Sequence, residues 1–342
     1  MTDLLGANIR QSVRLLEAGP PLLDANDVKV VGSAEPLPES LLMRIARDPL
    51  MPIPWFRMRD GVISSPQERF FGFYAVRGMV RGVLLGTPFL RAGRLLLKGS
   101  LKSPAVSMFY TAAFHALGSF LALRGRVVIE EVRGPVEIHT GHDSSGLTFG
   151  SLPRAPLVIL AKLTARNTWV FEPRPRSHRA RWQELYGASK EGEGRLPRYF
   201  EEFLSYADSY GPDEMGSDME EVLRRVCDMR HAALYSAFGS DDFAVDLAIN
   251  RESSGGGTEL KAQAFADFSA SLLLDVTTQT NELLHDLCIA PDVRKSLVAN
   301  MLFPVFDLSL RNDCGSSELD AQVGSLLEWL FTSLCGESGG NQ

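Results

Sequence analysis

The chain has 342 residues, 45% of them hydrophobic and 23% charged, with a formal charge of -7. This is ordinary for a globular protein with a full core and room for two domains. Four widely spaced cysteines, Cys227, Cys288, Cys314 and Cys335, show no CxxC pairing. That excludes a thiolate zinc site and a disulfide framework.

The charge is uneven. Residues 1–200 hold 27 Lys and Arg against 17 Asp and Glu, a net +10, and residues 201–342 hold 8 against 25, a net -17. The asymmetry reads as a basic half that meets a polyanion, as an acidic tail that screens it, or as two solvated surfaces of different composition.

In chain order, residues 3–18 predict an amphipathic helix, ended by Gly19-Pro20-Pro21. No uninterrupted apolar run opens the chain, so no signal peptide is expected and a cytoplasmic location is. A strand at 28–31, a helix near 38–47 and a Pro-rich loop at 48–55 follow. Ser65-Pro66-Gln67-Glu68 has the form of a capping box, predicting a helix from Ser65 to about Leu85. Its Gly78, Gly82 and Gly86, four apart, predict a bare face for close helix packing. Arg77 and Arg81 interrupt that stretch, so it is no membrane GxxxG dimer motif. Residues 86–100 read as a glycine-rich basic segment without a P-loop pattern.

Residues 103–124 predict a helix that includes 20 residues without a charge, 104–123. That is the length of a membrane span, but Ser107, Tyr110, Thr111, His115 and Ser119 fit a buried core helix better. From Arg126 to Pro173 the pattern changes to period two, predicting strands at 127–132, 136–139, 157–163 and 168–171, with a hairpin turn at Arg133-Gly134-Pro135. Helices are expected from Ser177 to about Ala188 and over 195–210. A second capping box, Ser217 to Glu220, opens the helix over 221–235. RESSGGGT, 251–258, reads as a linker. Helical patterns at 260–288, 292–310 and 319–334 and a disordered tail complete the chain. The expected class is mainly α with a β insertion. The expected domains are an N-terminal region 1–100 of unknown role, a bundle over 101–250 with its insertion near 126–173, and an acidic helical region 258–336.

Three constellations carry chemistry-bearing residues. In the helix 221–235, Cys227, His231 and Tyr235 fall on one face, with Asp228 a turn before His231 and Arg230 beside that face. Arg224 and Arg225 flank them. A cation, an imidazole and a phenol so placed suit a phosphodiester, or form a structural polar network. A basic run of Arg166, Arg174, Arg176, His178, Arg179 and Arg181 is interleaved with Trp169, Phe171 and Trp182, a composition that suits single-stranded nucleic acid or a solvated edge. Docking of the acidic C-terminal region on this run would be autoinhibitory. His139, His142 and Asp143 are a weak metal-site candidate, with a polar turn as the alternative.

FYTAAFHALGSFLALRG in 109–125, the Ser177-His178 pair and RHAALY at 230–235 together resemble the HEPN superfamily of helical bundles. The resemblance covers about 104–126 and 174–238. It implies a metal-independent endoribonuclease, of the toxin or defence-effector kind, without a cofactor. It implies a homodimer in which Arg230 holds the scissile phosphate and His231 moves the proton, with Tyr235 where the family carries a histidine. A neutralising or regulatory protein partner would accompany such a toxin. The alternatives are a non-catalytic RNA- or nucleotide-binding or dimerising scaffold and, more distantly, a metal-dependent hydrolase. No membrane partner is expected.

Overall fold

A computed structural model describes residues 2–18, 57–59, 62–65, 68–129, 137–139, 158–174, 181–185, 196–208, 226, 257–287, 289 and 317–335. The architecture is mainly helical with a small sheet. Six helices are labelled here: α1 (Thr2–Ala18), α2 (Phe71–Lys98), α3 (Lys102–Ala122), α4 (Arg198–Asp208), α5 (Gly257–Asp286) and α6 (Ser317–Cys335). The strands are β1 (Arg57–Arg59), β2 (Val62–Ser64), β3 (Arg126–Ile129), β4 (Glu137–His139), β5 (Val158–Leu163) and β6 (Trp169–Arg174). The expected elements at 28–31, 38–47 and 292–310 lie outside the described residues, as do the linker 251–258 up to Gly256 and the tail.

The centre of the fold is α3. It is apolar on all sides, and such a helix is buried on all sides. It packs between α2 and α5, and Phe109, Ala112, Ala113, Ala116, Leu117, Phe120 and Leu121 are inaccessible to solvent. It is the one described helix long and apolar enough to cross a membrane, and 78% of its apolar window is buried inside the fold.

The α2–α3 approach depends on missing side chains. A Cβ on Gly82 would stand 2.1 Å from Ser119 Oγ and 2.5 Å from the His115 carbonyl oxygen. One on Gly86 would stand 2.8 Å from Leu273 of α5 and 3.1 Å from the Ala112 carbonyl oxygen. The Ser119 hydroxyl uses the closeness, donating to the Met79 carbonyl at 2.6 Å.

Both predicted ends of this helix are corrected. The capping box does not form. Ser65 contributes its carbonyl to a backbone turn, accepting from the Glu68 N–H at 3.1 Å. Glu68 leads a 3-10 turn, Glu68–Phe70, and its carboxylate accepts from the Trp169 backbone N–H at 3.0 Å. The sheet, not the helix, takes the acid. The other end runs on through Gly86, Pro88 and Gly93 to Lys98. Packing against α3 and α5 outweighs the low helix propensity of these residues. Ser100, in the left-handed region at φ 60°, then turns the chain into α3.

The sheet runs β3-β5-β6-β2-β1-β4, antiparallel from β3 to β1, with β4 parallel to β1. The expected β3–β4 hairpin around Arg133-Gly134-Pro135 is therefore not formed, since these strands lie at opposite edges. The strands of the β insertion are joined in the sheet by β1 and β2 from 57–64. Three-residue strands carry too little alternation to be read in advance. On β6, period two sends Trp169 and Phe171 toward the helices and Glu172 and Arg174 to the other face. Phe71 packs against both aromatics, tilted to Trp169 and edge-on to Phe171, with ring centroids 5.8 and 4.7 Å away.

One contiguous core joins α1, α2, α3, α4, α5, α6 and the inner face of the sheet. α5 enters it through Phe265, Phe268, Leu272, Leu273 and Val276, all buried. This part of the acidic region is thus a core element, and deleting 258–342 would open the core rather than uncover a surface. α6 adds an ion pair from Asp320 to Arg91 on α2 at 3.0 Å.

Tyr199 on α4 ties to α5, its hydroxyl donating to Asp275 Oδ2 at 2.6 Å, while Gln279 donates to Oδ1 at 2.7 Å. Burial, then the bond to Asp275, raises the Tyr199 pKa above its ordinary value. The unfolded chain releases this proton near ~10, so the stabilisation is present below that pH and is lost as pH rises above it. Tyr199→Phe should cost about 1–2 kcal/mol near neutral pH, with the gap to wild type shrinking above pH ~10. Urea titrations across that range check this, and a constant gap would contradict it.

Candidate anion-binding cleft

Where α2, α3, β3 and the helical turn 181–185 meet, they leave a cavity of about 100 Å³. Arg77, Arg81, His115 and Arg181 line it, together with Tyr74, Gly78, Gly82 and Gly118. Arg77 and Arg81 are one turn apart on α2, so their side chains leave the helix on one face. The bare backbone at Gly78 and Gly118 holds the space open. Arg77 is half-buried and Arg81 exposed, giving the cavity a charged mouth. Among the described residues no Asp or Glu lines it.

Arg181 is set by several contacts. Its Nη1 donates to the Phe114 carbonyl at 2.8 Å, and its guanidinium carbon lies 4.0 Å from the centroid of the Phe114 ring. A Cβ on Gly118 would stand 3.0 Å from that Nη1, so the glycine makes the room. His115 stacks on Phe89 at 5.6 Å and meets Phe114 edge-on at 5.7 Å.

The turn 181–185 is fastened at both ends. Trp182 Nε1 donates to the Tyr110 hydroxyl at 3.2 Å. Glu184, 3% exposed, projects onto the sheet face opposite the helices. There Arg126 reaches it at 2.8 Å and Lys162 at 3.7 Å, and Arg174 bonds its other oxygen. Arg126 and Lys162 are directly opposed on β3 and β5, an unfavourable like-charge pair that the Glu184 carboxylate neutralises. Glu172 adds bonds to Lys162 at 3.2 Å and Arg174 at 2.7 Å.

Three residues of the basic run identified in the sequence are described, and they lie apart. Arg166 sits exposed at the β5–β6 turn, Arg174 is engaged at the far end of β6, and Arg181 faces the cleft. Trp169, Phe171 and Trp182 are 5%, 6% and 1% exposed, so these rings belong to the core and offer no stacking platform. The Trp169 indole N–H donates to Asn8 Oδ1 at 3.0 Å, which ties β6 to α1. Arg176, His178 and Arg179 lie outside the described residues. So do Asp228, Arg230, His231 and Tyr235, although Val226 just before them is helical and inaccessible. His139 is on β4, with His142 and Asp143 outside the described residues. Among the described residues no group of three or more His, Cys, Asp or Glu could hold a metal ion.

Arg77 and Arg81 were legible only as interruptions of a glycine pattern. A stronger signal was there. From Arg69 to Ile129 the chain has no Asp or Glu, and it carries nine cations: Arg69, Arg77, Arg81, Arg91, Arg94, Lys98, Lys102, Arg124 and Arg126. The stretch 69–129, which contains the α2–α3 hairpin, therefore holds almost the whole positive excess of the N-terminal half.

No family model matches the chain, and neither a curated protein nor a solved structure does.

Proposed function

We propose that the protein binds single-stranded RNA, engaging phosphate at the cleft between α2, α3 and the turn 181–185. The observation that carries this reading is a cleft lined by Arg77, Arg81, His115 and Arg181, the first three of them within a 61-residue stretch of sequence free of acid. Concentrated cations attract a polyanion, and arginine binds phosphate through paired N–H donors. A fluorescently labelled RNA in EDTA tests it. Binding should weaken with rising salt. Arg81→Gln, an exposed change, should lower affinity several-fold and reduce the salt slope by ~1. No binding at low salt overturns the reading.

A metal-independent ribonuclease of the HEPN kind is the second reading. What favours it is packing between the two stretches that the resemblance covers, since Trp182 meets Tyr110 and Arg181 meets Phe114. In that reading Arg230 holds the phosphate, His231 moves the proton, and Asp228 and Tyr235 assist. The same assay decides. Cleavage that survives EDTA and disappears in both Arg230→Ala and His231→Ala supports it, and intact RNA after long incubation removes it.

A further inference from the structure

We infer that the turn joining α2 to α3 is a docking tip that seats on an anionic phospholipid surface. The inference is independent of the cleft, which lies nearer the other end of the hairpin. Arg81 and Lys98 are 17 residues apart on α2 (98 − 81 = 17), about 25 Å at a rise of ~1.5 Å per residue. That exceeds the roughly 8–10 Å over which exposed charges act on each other.

Apolar exposure is the first observation. Among the described residues, the exposed large hydrophobic side chains are Val62, Leu95, Leu101 and Val170. Two of these stand at this one turn, Leu95 at 52% and Leu101 at 53% exposed. The exposed surface runs unbroken from Lys98 through Gly99 and Ser100 to Leu101. The backbone holds it in place. The Leu101 N–H donates to the Leu96 carbonyl at 2.8 Å, and the Ser100 N–H to the Leu97 carbonyl at 2.9 Å. With Ser100 at φ 60°, this is a Schellman turn. Such a turn commonly packs its outer hydrophobic residue back onto the helix. Here that residue is Leu101, and half of its surface still faces solvent.

Charge selects the occupant. From Arg91 to Pro104 the sequence carries Arg91, Arg94, Lys98 and Lys102 and no acid. Arg91 is paired with Asp320. Lys98 stands three residues after Leu95, on the same face of α2. Lys98 and Lys102 also have interactions within the protein. Interactions of surface lysines are weak, however, and exchange for lipid phosphate. Leucines bordered by lysines match a headgroup layer, where the leucines enter and the cations meet phosphate. RNA would use the cations and leave the leucines unexplained, because bases stack on aromatic rings. Tip-to-tip pairing of two copies would bring like charges together. An anionic bilayer uses both features. The expectation of no membrane partner concerned spanning by α3, which is largely buried. The tip instead lies on a bilayer without crossing it.

The test is co-sedimentation of the full-length protein with vesicles of phosphatidylcholine, pure or containing about one-third phosphatidylglycerol. Wild type is compared with Leu95→Ser/Leu101→Ser and with Lys98→Gln/Lys102→Gln, each checked by a thermal melt. Binding to the anionic vesicles should be at least about tenfold tighter than to neutral ones and should weaken with salt. The leucine variant should lose about tenfold or more of that affinity, and the lysine variant a similar factor. RNA binding should be unchanged in the leucine variant. Leu101→Trp gives a reading that holds even where a double variant fails to fold. Its fluorescence should shift to the blue on anionic vesicles and be quenched by brominated lipid, relative to wild type.

No binding to anionic vesicles at low salt overturns the inference, and RNA binding that persists then leaves the cleft reading standing. Affinity retained by the folded leucine variant, or an unshifted Leu101→Trp, also overturns it. No vesicle binding, with RNA binding lost in the lysine variant, overturns it and assigns the tip to nucleic acid. No vesicle binding, with a wild-type oligomer that the leucine variant splits, overturns it in favour of a second copy of the chain.

Discussion

Gly82→Ala should destabilise the protein by at least about 2 kcal/mol, although alanine is the better helix former by ~1 kcal/mol. The added methyl would stand 2.1 Å from Ser119 Oγ and 2.5 Å from the His115 carbonyl oxygen. The hydroxyl can rotate away, but only by giving up its bond to Met79. The carbonyl is backbone of the central helix and moves only if α2 and α3 separate. Separation loosens packing along the whole hairpin, because interiors have no slack volume to absorb it. Gly78→Ala is the matched control. Its Cβ would meet Ala122 Cβ at 3.4 Å, an ordinary contact. There the propensity gain stands alone, and the variant should be as stable as wild type or more so. Urea unfolding of the pair measures the contrast. Equal stability of the two variants would refute the close-approach argument.

Glu184→Gln should cost about 3–5 kcal/mol, the other large effect expected here. The side chains of Glu184 and Arg126 are only 4% and 3% exposed, and two further cations, Lys162 and Arg174, share the same carboxylate. Neutralising Glu184 takes the carboxylate away from the enclosed Arg126 beside its like-charged neighbour Lys162, whereas Lys162 and Arg174 keep Glu172. Removing Arg126 is less damaging, because Glu184 keeps Lys162 and Arg174. The asymmetry separates this arrangement from a simple pair, in which either loss would cost the same. A double-mutant cycle in urea measures it. Arg126→Met costing as much as Glu184→Gln would show that the other two cations contribute nothing. This carboxylate helps to fasten the turn 181–185, so Glu184→Gln should also weaken the proposed RNA binding at temperatures where the variant is folded.

How legible the molecule was depended on the length of the pattern. Residues 3–18, 103–124 and 260–288 show sustained periodicity or apolarity, and α1, α3 and α5 form within a few residues of those limits. The glycine face was readable too, since side chains absent at four-residue spacing have few uses besides close approach. What failed was anything set by distant partners. Glu68 looked like a capping residue because local spacing cannot show that the Trp169 backbone will claim it. The β3–β4 hairpin looked natural because Arg133-Gly134-Pro135 favours a turn, yet β5 and β1 are the partners chosen. Trp169, Phe171 and Trp182 looked like bases' neighbours only while their burial was unknown. The cleft itself joins Arg77 to Arg181 across a hundred residues, and no motif spans that distance. The run without acid was the one local clue to it.

The central position of α3 bears on biosynthesis. Its last residue, Ala122, leaves the ribosome 135 residues before Gly257, where α5 begins (257 − 122 = 135). At about 5–20 residues per second that interval lasts roughly 7–27 s. Throughout it, the apolar side of α3 that α5 will cover, Tyr110 against Phe265 included, has no native cover from α5. A nascent chain in that condition is a natural client for a holding chaperone, and chains stalled between these two helices should be the aggregation-prone ones.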